Sequence, residues 1–476
     1  MSTKSSRKSS RTTNALALKK CSFNLIVSCS NEEVNHEEFP PIEEDKSTTP
    51  FVCALNAYAE RNAAGFTFPG HNSAWLHHLC WNNLLARGLS TMTLLSLIIS
   101  FLPMVQSKKA AELFGAIETW FLVGGTTCGV EASIMSTCSL RDTLILPRNS
   151  HISAISDMVL SGALPKYMIP GYNSSWGIVD RIKLHQVVKA IDELHVEGKE
   201  PDAIPVIIDE AQGAHFKFDC SLPSTTLEQG ADLVILSTHK VLCSHSQSSM
   251  LHLSGTMVDR ERISRCLQTL QSTSPSYLLL ASLDATRAQL SKNPYTIFDT
   301  PIQLAHQLAD EIQTLIPNAS VLESTDFEGM PKKDPLHMTI DTWKKSLTFA
   351  VSIGTCREHI QRVAHGIKDV AAVDGLHNSG RAMVNHYECA PFGEISIKLS
   401  PREAFFANKR RINVEESLDE ICGEPICSFP HGIPVLIPGE VITQNALSYL
   451  INARDRGAVI SGAAYSHLHS IVVCDR

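Results

Sequence analysis

The chain has 476 residues, 43% of them hydrophobic and 19% charged, with 25 Gly and 23 Pro. That composition excludes a collagen, a coiled coil, a mostly disordered chain and a polytopic membrane protein, and the length allows several domains with sizeable cores. With 41 Lys plus Arg against 49 Asp plus Glu the formal charge is -8, so neither nucleic acid nor a membrane surface is an expected partner.

The first 31 residues carry six basic residues (Lys4, Arg7, Lys8, Arg11, Lys19 and Lys20), many Ser and Thr, and no acid before Glu32. Such a leader has the composition of an organelle transit peptide, which would place the protein in a plastid or another organelle. As a plain tail it would leave the protein cytoplasmic, and both readings stay open. From Glu32 to Asp45 seven acids surround Pro40-Pro41, a solvated linker, so folded structure is expected from near Pro50. Twenty uncharged residues follow Arg87, but Ser, Thr and Pro103 interrupt them; a buried or docking helix fits better than a membrane span.

Beyond residue 106 short apolar runs alternate with helical stretches. Strands are predicted at Thr119–Val123, Thr143–Leu146, Lys166–Ile169, Val206–Ile208 and Leu233–Leu236, and helices at Val130–Thr137, Ile152–Ser161 and Leu184–Glu197. This alternation implies βαβ units and a buried, mostly parallel sheet, in which ligands bind at the carboxyl ends of the strands.

The strand ends are where the informative residues fall. Gly124-Gly125-Thr126-Thr127-Cys128-Gly129 precedes a helix and offers free N–H groups, hydroxyls and close backbone approach, either as a phosphate cradle or as a plain capping turn. It is neither GxGxxG nor GxxxxGK[ST], which argues against dinucleotide and P-loop sites. His151 stands after the next strand, to stack on a planar ligand or to cap a helix. Asp209 follows VII, where a carboxylate needs a partner such as a protonated ring nitrogen, an N-cap or a salt bridge. Lys240, preceded by Ser237, Thr238 and His239, follows DLVIL and suits a carbonyl-reactive amine. Together a phosphate cradle, a stacking His, a ring-nitrogen Asp and a Schiff-base Lys make up a pyridoxal phosphate site.

The 14 cysteines form no CxxC pair, so free thiols are expected, Cys422 and Cys427 among them. His77-His78 and the pair His467 and His469 lack partners at ligand spacing, so no metal is expected. Gly354–Val363 reads as an amphipathic helix.

With these residues in place the chain resembles the group I Orn/Lys/Arg decarboxylase family. The stretches that carry the resemblance are FPGH from Phe68, FLVGGTTCG, PRNSHISA, IIDEAQGAHF, GADLVILSTHKVL, SPSYLLLASLD, LSPREAFF and GIPVLIPGE. The resemblance implies an α/β fold, the aspartate aminotransferase-like fold of PLP-dependent transferases, with a mostly parallel seven-stranded sheet and a smaller α+β C-terminal domain. It implies a leader and linker over 1–50, a PLP-binding major domain over 51–385 with an anomalous stretch at 72–107, and a C-terminal decarboxylase domain over 386–476. By position Lys240 becomes the Schiff-base lysine, Asp209 the pyridinium partner and His151 the residue stacked on the ring, with Ala211 against the opposite face. Gly125, Thr126, Thr127, Ser237 and His239 match the phosphate-contact region, and His215 an active-site position of underived role.

The implied activity is decarboxylation of lysine, arginine or ornithine to the amine, by a homodimer or higher homo-oligomer. Alternatives on the same cofactor site are transamination, aldol cleavage or an inactive homologue. The residue that reprotonates the product is Lys240 or a histidine. Asn72, Gln212 and Ile152 depart from the family pattern, and a family segment is missing where Lys345 runs almost directly into Thr348.

Overall fold

The computed structural model describes residues 49, 107–173, 176, 178–198, 204–316, 319–323, 332–341, 346–377, 392–393, 395–428, 432–465 and 467–475. The expected leader and linker, FPGH with Asn72, His77-His78, the apolar run after Arg87, the junction at Lys345 and the 385/386 boundary lie outside the described residues. In chain order come β1 (Glu118–Leu122), α1 (Gly125–Thr137), β2 (Thr143–Pro147), α2 (Ile152–Ser161) and β3 (Leu164–Met168). A short hairpin of β4 (Tyr172–Asn173) and β5 (Ile178–Val179) precedes α3 (Leu184–Val196). Then follow β6 (Ile207–Asp209), β7 (Leu233–Leu236), the single turn α4 (Thr238–Val241) and β8 (Ser249–Leu253).

Four strands hydrogen-bond in the order β1-β8-β7-β6, while β2 and β3 form a separate parallel pair. β6 and β7 are parallel, and β8 runs antiparallel to both β7 and β1. Three strands therefore share a direction and β8 alone is reversed. The expected single sheet of seven strands appears among the described residues as these groups of four and two.

The core explains the order. All four residues of β7 are buried, as an apolar run covered on both faces requires. α1 lies close on the sheet because Gly129 has no side chain: a Cβ there would stand 2.8 Å from both Ile235 and Leu122. β8 escapes the sequence reading because its run, SMLHL, is broken by Ser249 and His252, both fully buried. His252 pairs across the sheet with Thr119, its Nδ1 lying 2.7 Å from the Thr119 hydroxyl, and burial pushes its pKa down to about 3. A neutral imidazole can sit in this core; a charged one would be unpaired.

Most boundaries move by at most one residue, and three shifts bear on the site or exceed that. α1 starts at Gly125 rather than Val130, because the positive φ of Gly125 (+75°) lets the chain turn from strand into helix with no intervening loop. β6 extends to Asp209, making the carboxylate the last strand residue, and β3 starts two residues before the predicted Lys166. The expected amphipathic helix near Gly354 is a helix over Arg357–His377, with Ile360, Ala364 and Ile367 buried at helical spacing.

Toward the C-terminus, a helix over Gln444–Asp455 packs with short antiparallel strands. Val414, Cys422, Ile426, Leu436, Leu447, Leu450 and Ile471 belong to a core cluster of that segment's own. The nine described cysteines are free, and among the described residues no helix is long and apolar enough to cross a membrane.

One buried carboxyl in α2 lacks partners. Asp157 is fully buried, and neither side-chain oxygen has a hydrogen-bond partner among the described residues. Burial, with Glu131 nearby, pushes its pKa up to about 7. The folded value exceeds the unfolded one of about 3.9, so this contribution to stability is present in full at pH 4 and is lost as pH rises through 7. Asp157→Asn is expected to be more stable than the parent at pH 8, by about 2–4 kcal/mol, with the difference vanishing near pH 4. Urea unfolding at the two pH values checks this; equal curves at pH 8 would refute it.

Candidate active site

The predicted residues meet at the carboxyl ends of β6 and β7. Parallel register sets Asp209 opposite Ile235, and Lys240 enters in α4 directly after β7. Both side chains are exposed to solvent, yet Asp209 has enough protein around it to feel the loss of water. Burial raises the Asp209 pKa, opposed by the charges of His151 and Lys240 and by the Ala211 N–H, which donates to Oδ1 at 3.2 Å. The His151 pKa is lowered by burial, with Asp209 opposing and Lys240 reinforcing the change. His151, Asp209 and Lys240 thus sense one another's charge, and the raised pKa of Asp209 leaves its carboxylate favouring a further cation.

The segment before β8 ties α1 to the turn that carries Lys240. Gly125 N–H donates to the Gln247 carbonyl at 2.9 Å, anchoring the amino end of α1. One residue later, the Ser248 carbonyl accepts from Thr238 Oγ1 at 2.8 Å and lies 2.9 Å from His239 Nδ1. His239 Nδ1 also lies 3.1 Å from the hydroxyl of buried Ser237. Residues 247–248 therefore bring Gly125, Thr126 and Thr127 to the same edge of the sheet as Ser237 and His239.

α1 has no side-chain cap at Gly124, and nothing lies within 4 Å of a Cβ built on Gly125. An uncapped helix amino end with open space above it accommodates an anionic group. With a carboxylate that favours a cation and an accessible amine whose charge it feels, the residues present fit a phosphorylated pyridine aldehyde. Thr126 and Thr127 in the first turn of α1, with Ser237 and His239, would hold its phosphate, Asp209 its ring nitrogen and Lys240 its aldehyde.

His151 does one of the two things its position allowed. It caps α2, its Nδ1 accepting from Ser153 N–H at 3.2 Å and lying 2.9 Å from the Ser153 hydroxyl. The cap holds one ring edge and leaves stacking on a ring face compatible with it. Ala211 is buried beside Asp209.

His215, fully buried, belongs to a cluster the sequence reading missed. Its Nε2 lies 3.1 Å from Asp334 Oδ2, which is also 2.5 Å from His337 Nδ1; His337 Nε2 lies 3.1 Å from Gln212 Oε1. Burial would raise the Asp334 carboxyl, but the hydrogen bonds from the two histidines and from the Leu336 N–H hold it well below the usual range. The three side chains offer atoms within 4.8 Å of one another. Two donors on one tetrahedral ion stand about 3.4 Å apart, wider than the carboxylate–imidazole contact, so the cluster is closed by its own hydrogen bonds. More than a hundred positions separate His215 and Gln212 from Asp334 and His337, so nothing local joins the two halves of the cluster.

Asp209 at the end of β6 and Lys240 just beyond β7 lie at the carboxyl edge of parallel strands, where α/β folds bind their ligands. The family profile described as "Orn/Lys/Arg decarboxylase, major domain" matches residues 49–201 and 189–345, and the chain belongs to this family of amino acid decarboxylases. The arginine decarboxylase of Halalkalibacterium halodurans is 30% identical over 87% of this chain and 95% of its own. That of Bacillus subtilis is 28% identical over 89% and 97%. The lysine decarboxylase of Francisella novicida superposes with a TM-score of 0.72 at 18% identity, covering 90% of this chain and 81% of that one, which supports the fold.

Proposed function

We propose that the chain is a pyridoxal phosphate-dependent decarboxylase of a basic amino acid, with arginine as the preferred substrate and agmatine as the product. The observation that carries the cofactor reading is Asp209 beside Lys240 at the ends of two parallel strands. Arginine is favoured because relatives aligned along nearly their whole length bear the name arginine decarboxylase.

The cofactor would supply an electron sink for the pair left behind when the α-carboxylate departs as CO2. The chain's own residues do the rest. Asp209, whose carboxylate is unfavourably placed without a cation, holds a proton on the ring nitrogen. His151 covers one ring face and excludes water from it. The first turn of α1 anchors the phosphate through N–H groups and the hydroxyls of Thr126 and Thr127. Lys240 Nζ holds the aldehyde between turnovers and can return a proton to the α-carbon.

We further assign a homodimer, because Asp209 and Lys240 are exposed in a single chain and decarboxylation without side reactions needs a closed site. Sedimentation of the loaded protein checks it, and a monomer would remove it.

The deciding assay supplies pyridoxal phosphate and carboxyl-labelled arginine, lysine or ornithine, and measures CO2 and amine together. Release of CO2 with equimolar agmatine from arginine is the expected result. Release from lysine or ornithine alone would overturn the substrate. Conversion without CO2 would overturn the reaction, and no turnover by a cofactor-loaded chain would mark an inactive homologue.

A further inference from the structure

We propose that Arg148, Glu440 and Gly432 form a clamp by which the C-terminal segment sets the ring of His151 for the cofactor. This inference rests on the cofactor reading given above and adds three positioning residues to it.

Arg148 lies three residues before His151 and is nearly fully buried, at 2% exposure. Its guanidinium makes a two-pronged pair with Glu440, Nε to Oε1 at 2.8 Å and Nη2 to Oε2 at 2.7 Å. The remaining donors reach the backbone of the same segment, Nη1 to the Pro434 carbonyl at 2.8 Å and Nη2 to the Val435 carbonyl at 3.0 Å. Such a planar fork defines orientation as well as distance. A buried pair of this kind adds little net stability over an apolar contact of equal shape, so geometric definition is its more informative role.

The clamp closes on the other side of the histidine. Ile152 N–H donates to the Gly432 carbonyl at 2.7 Å, so the residues flanking His151 are bonded to one C-terminal stretch. Gly432 also approaches the ring itself: a Cβ on it would stand 2.5 Å from both Cδ2 and Nε2 of His151. Its φ of +108° suits glycine alone. Ser153 holds the Nδ1 edge of the ring and Gly432 abuts the Nε2 edge. With both edges held, the ring plane is defined and its faces remain for stacking.

The test titrates pyridoxal phosphate into the full-length apo-chain and reads the visible absorbance of the lysine-bound aldehyde. Gly432→Ala and Glu440→Gln are each measured in the parent and in His151→Ala, with thermal unfolding of the apo-forms recorded alongside. A clamp acting through His151 predicts that each variant weakens cofactor affinity about tenfold in the parent, and less than about twofold once the imidazole is gone. Undiminished affinity in the parent, or equal weakening in both backgrounds, would overturn it. If Gly432→Ala does not fold, the Glu440→Gln cycle decides alone. A parent chain that never develops the absorbance removes the cofactor reading itself, and the clamp with it.

Discussion

Lys240→Ala is expected to lose the visible absorbance of bound pyridoxal phosphate and to decarboxylate at least about four orders of magnitude more slowly than the parent. The residue stands in α4, one turn beyond a strand whose every residue is buried, and its charge is felt by both Asp209 and His151. An exposed amine at that position is free to react, while the buried strand behind it fixes where it reacts. Because the side chain is exposed, its removal leaves the core intact, and the apo-variant should unfold at the parent's temperature. Borohydride treatment of the loaded parent followed by peptide mass analysis should find the added group on Lys240. Label on another lysine, or normal absorbance in the variant, would sink the assignment.

Asp209→Asn is expected to separate binding from chemistry. The amide keeps the shape and one acceptor, so cofactor absorbance should persist, but the charge that keeps a proton on the ring nitrogen is gone. A loss of one preorganised charge at the reacting group costs about 10²- to 10³-fold in kcat. Among the described residues the Asp209 carboxylate accepts from the Ala211 N–H, a bond that an amide oxygen can still accept, so the substitution leaves the local structure in place. Steady-state kinetics decides: a fall in kcat with KM little changed is the expected pattern, and an unchanged kcat would remove Asp209 from the chemistry.

Much of the site was legible because the informative residues lie beside short apolar runs. Asp209 ends one strand and Lys240 follows its parallel neighbour, and the alternation of strands and helices in the sequence places both at the carboxyl edge. Gly125, Thr126 and Thr127 were legible for the same reason, although the helix proved to start at Gly125. β8 was not, because two of its five residues are polar, and His252 finds its partner only across the sheet, in Thr119. Asp334 and His337 were also hidden, since their chemistry comes from His215, more than a hundred residues upstream.

The sequence by itself determined the α/β class, the family and the lysine, aspartate and histidine of the site, since each depends on residue type and short-range order. Tertiary structure alone decided that one strand runs against the rest and that the Gln247–Ser248 segment bonds both Gly125 and His239. It alone brought Arg148 to Glu440, 292 residues away, and set Gly432 against the ring of His151. Local pattern reports which residues can act, because periodicity and turn chemistry span only a few positions. Which residues hold them in place depends on close packing between distant segments, which no short stretch of sequence encodes.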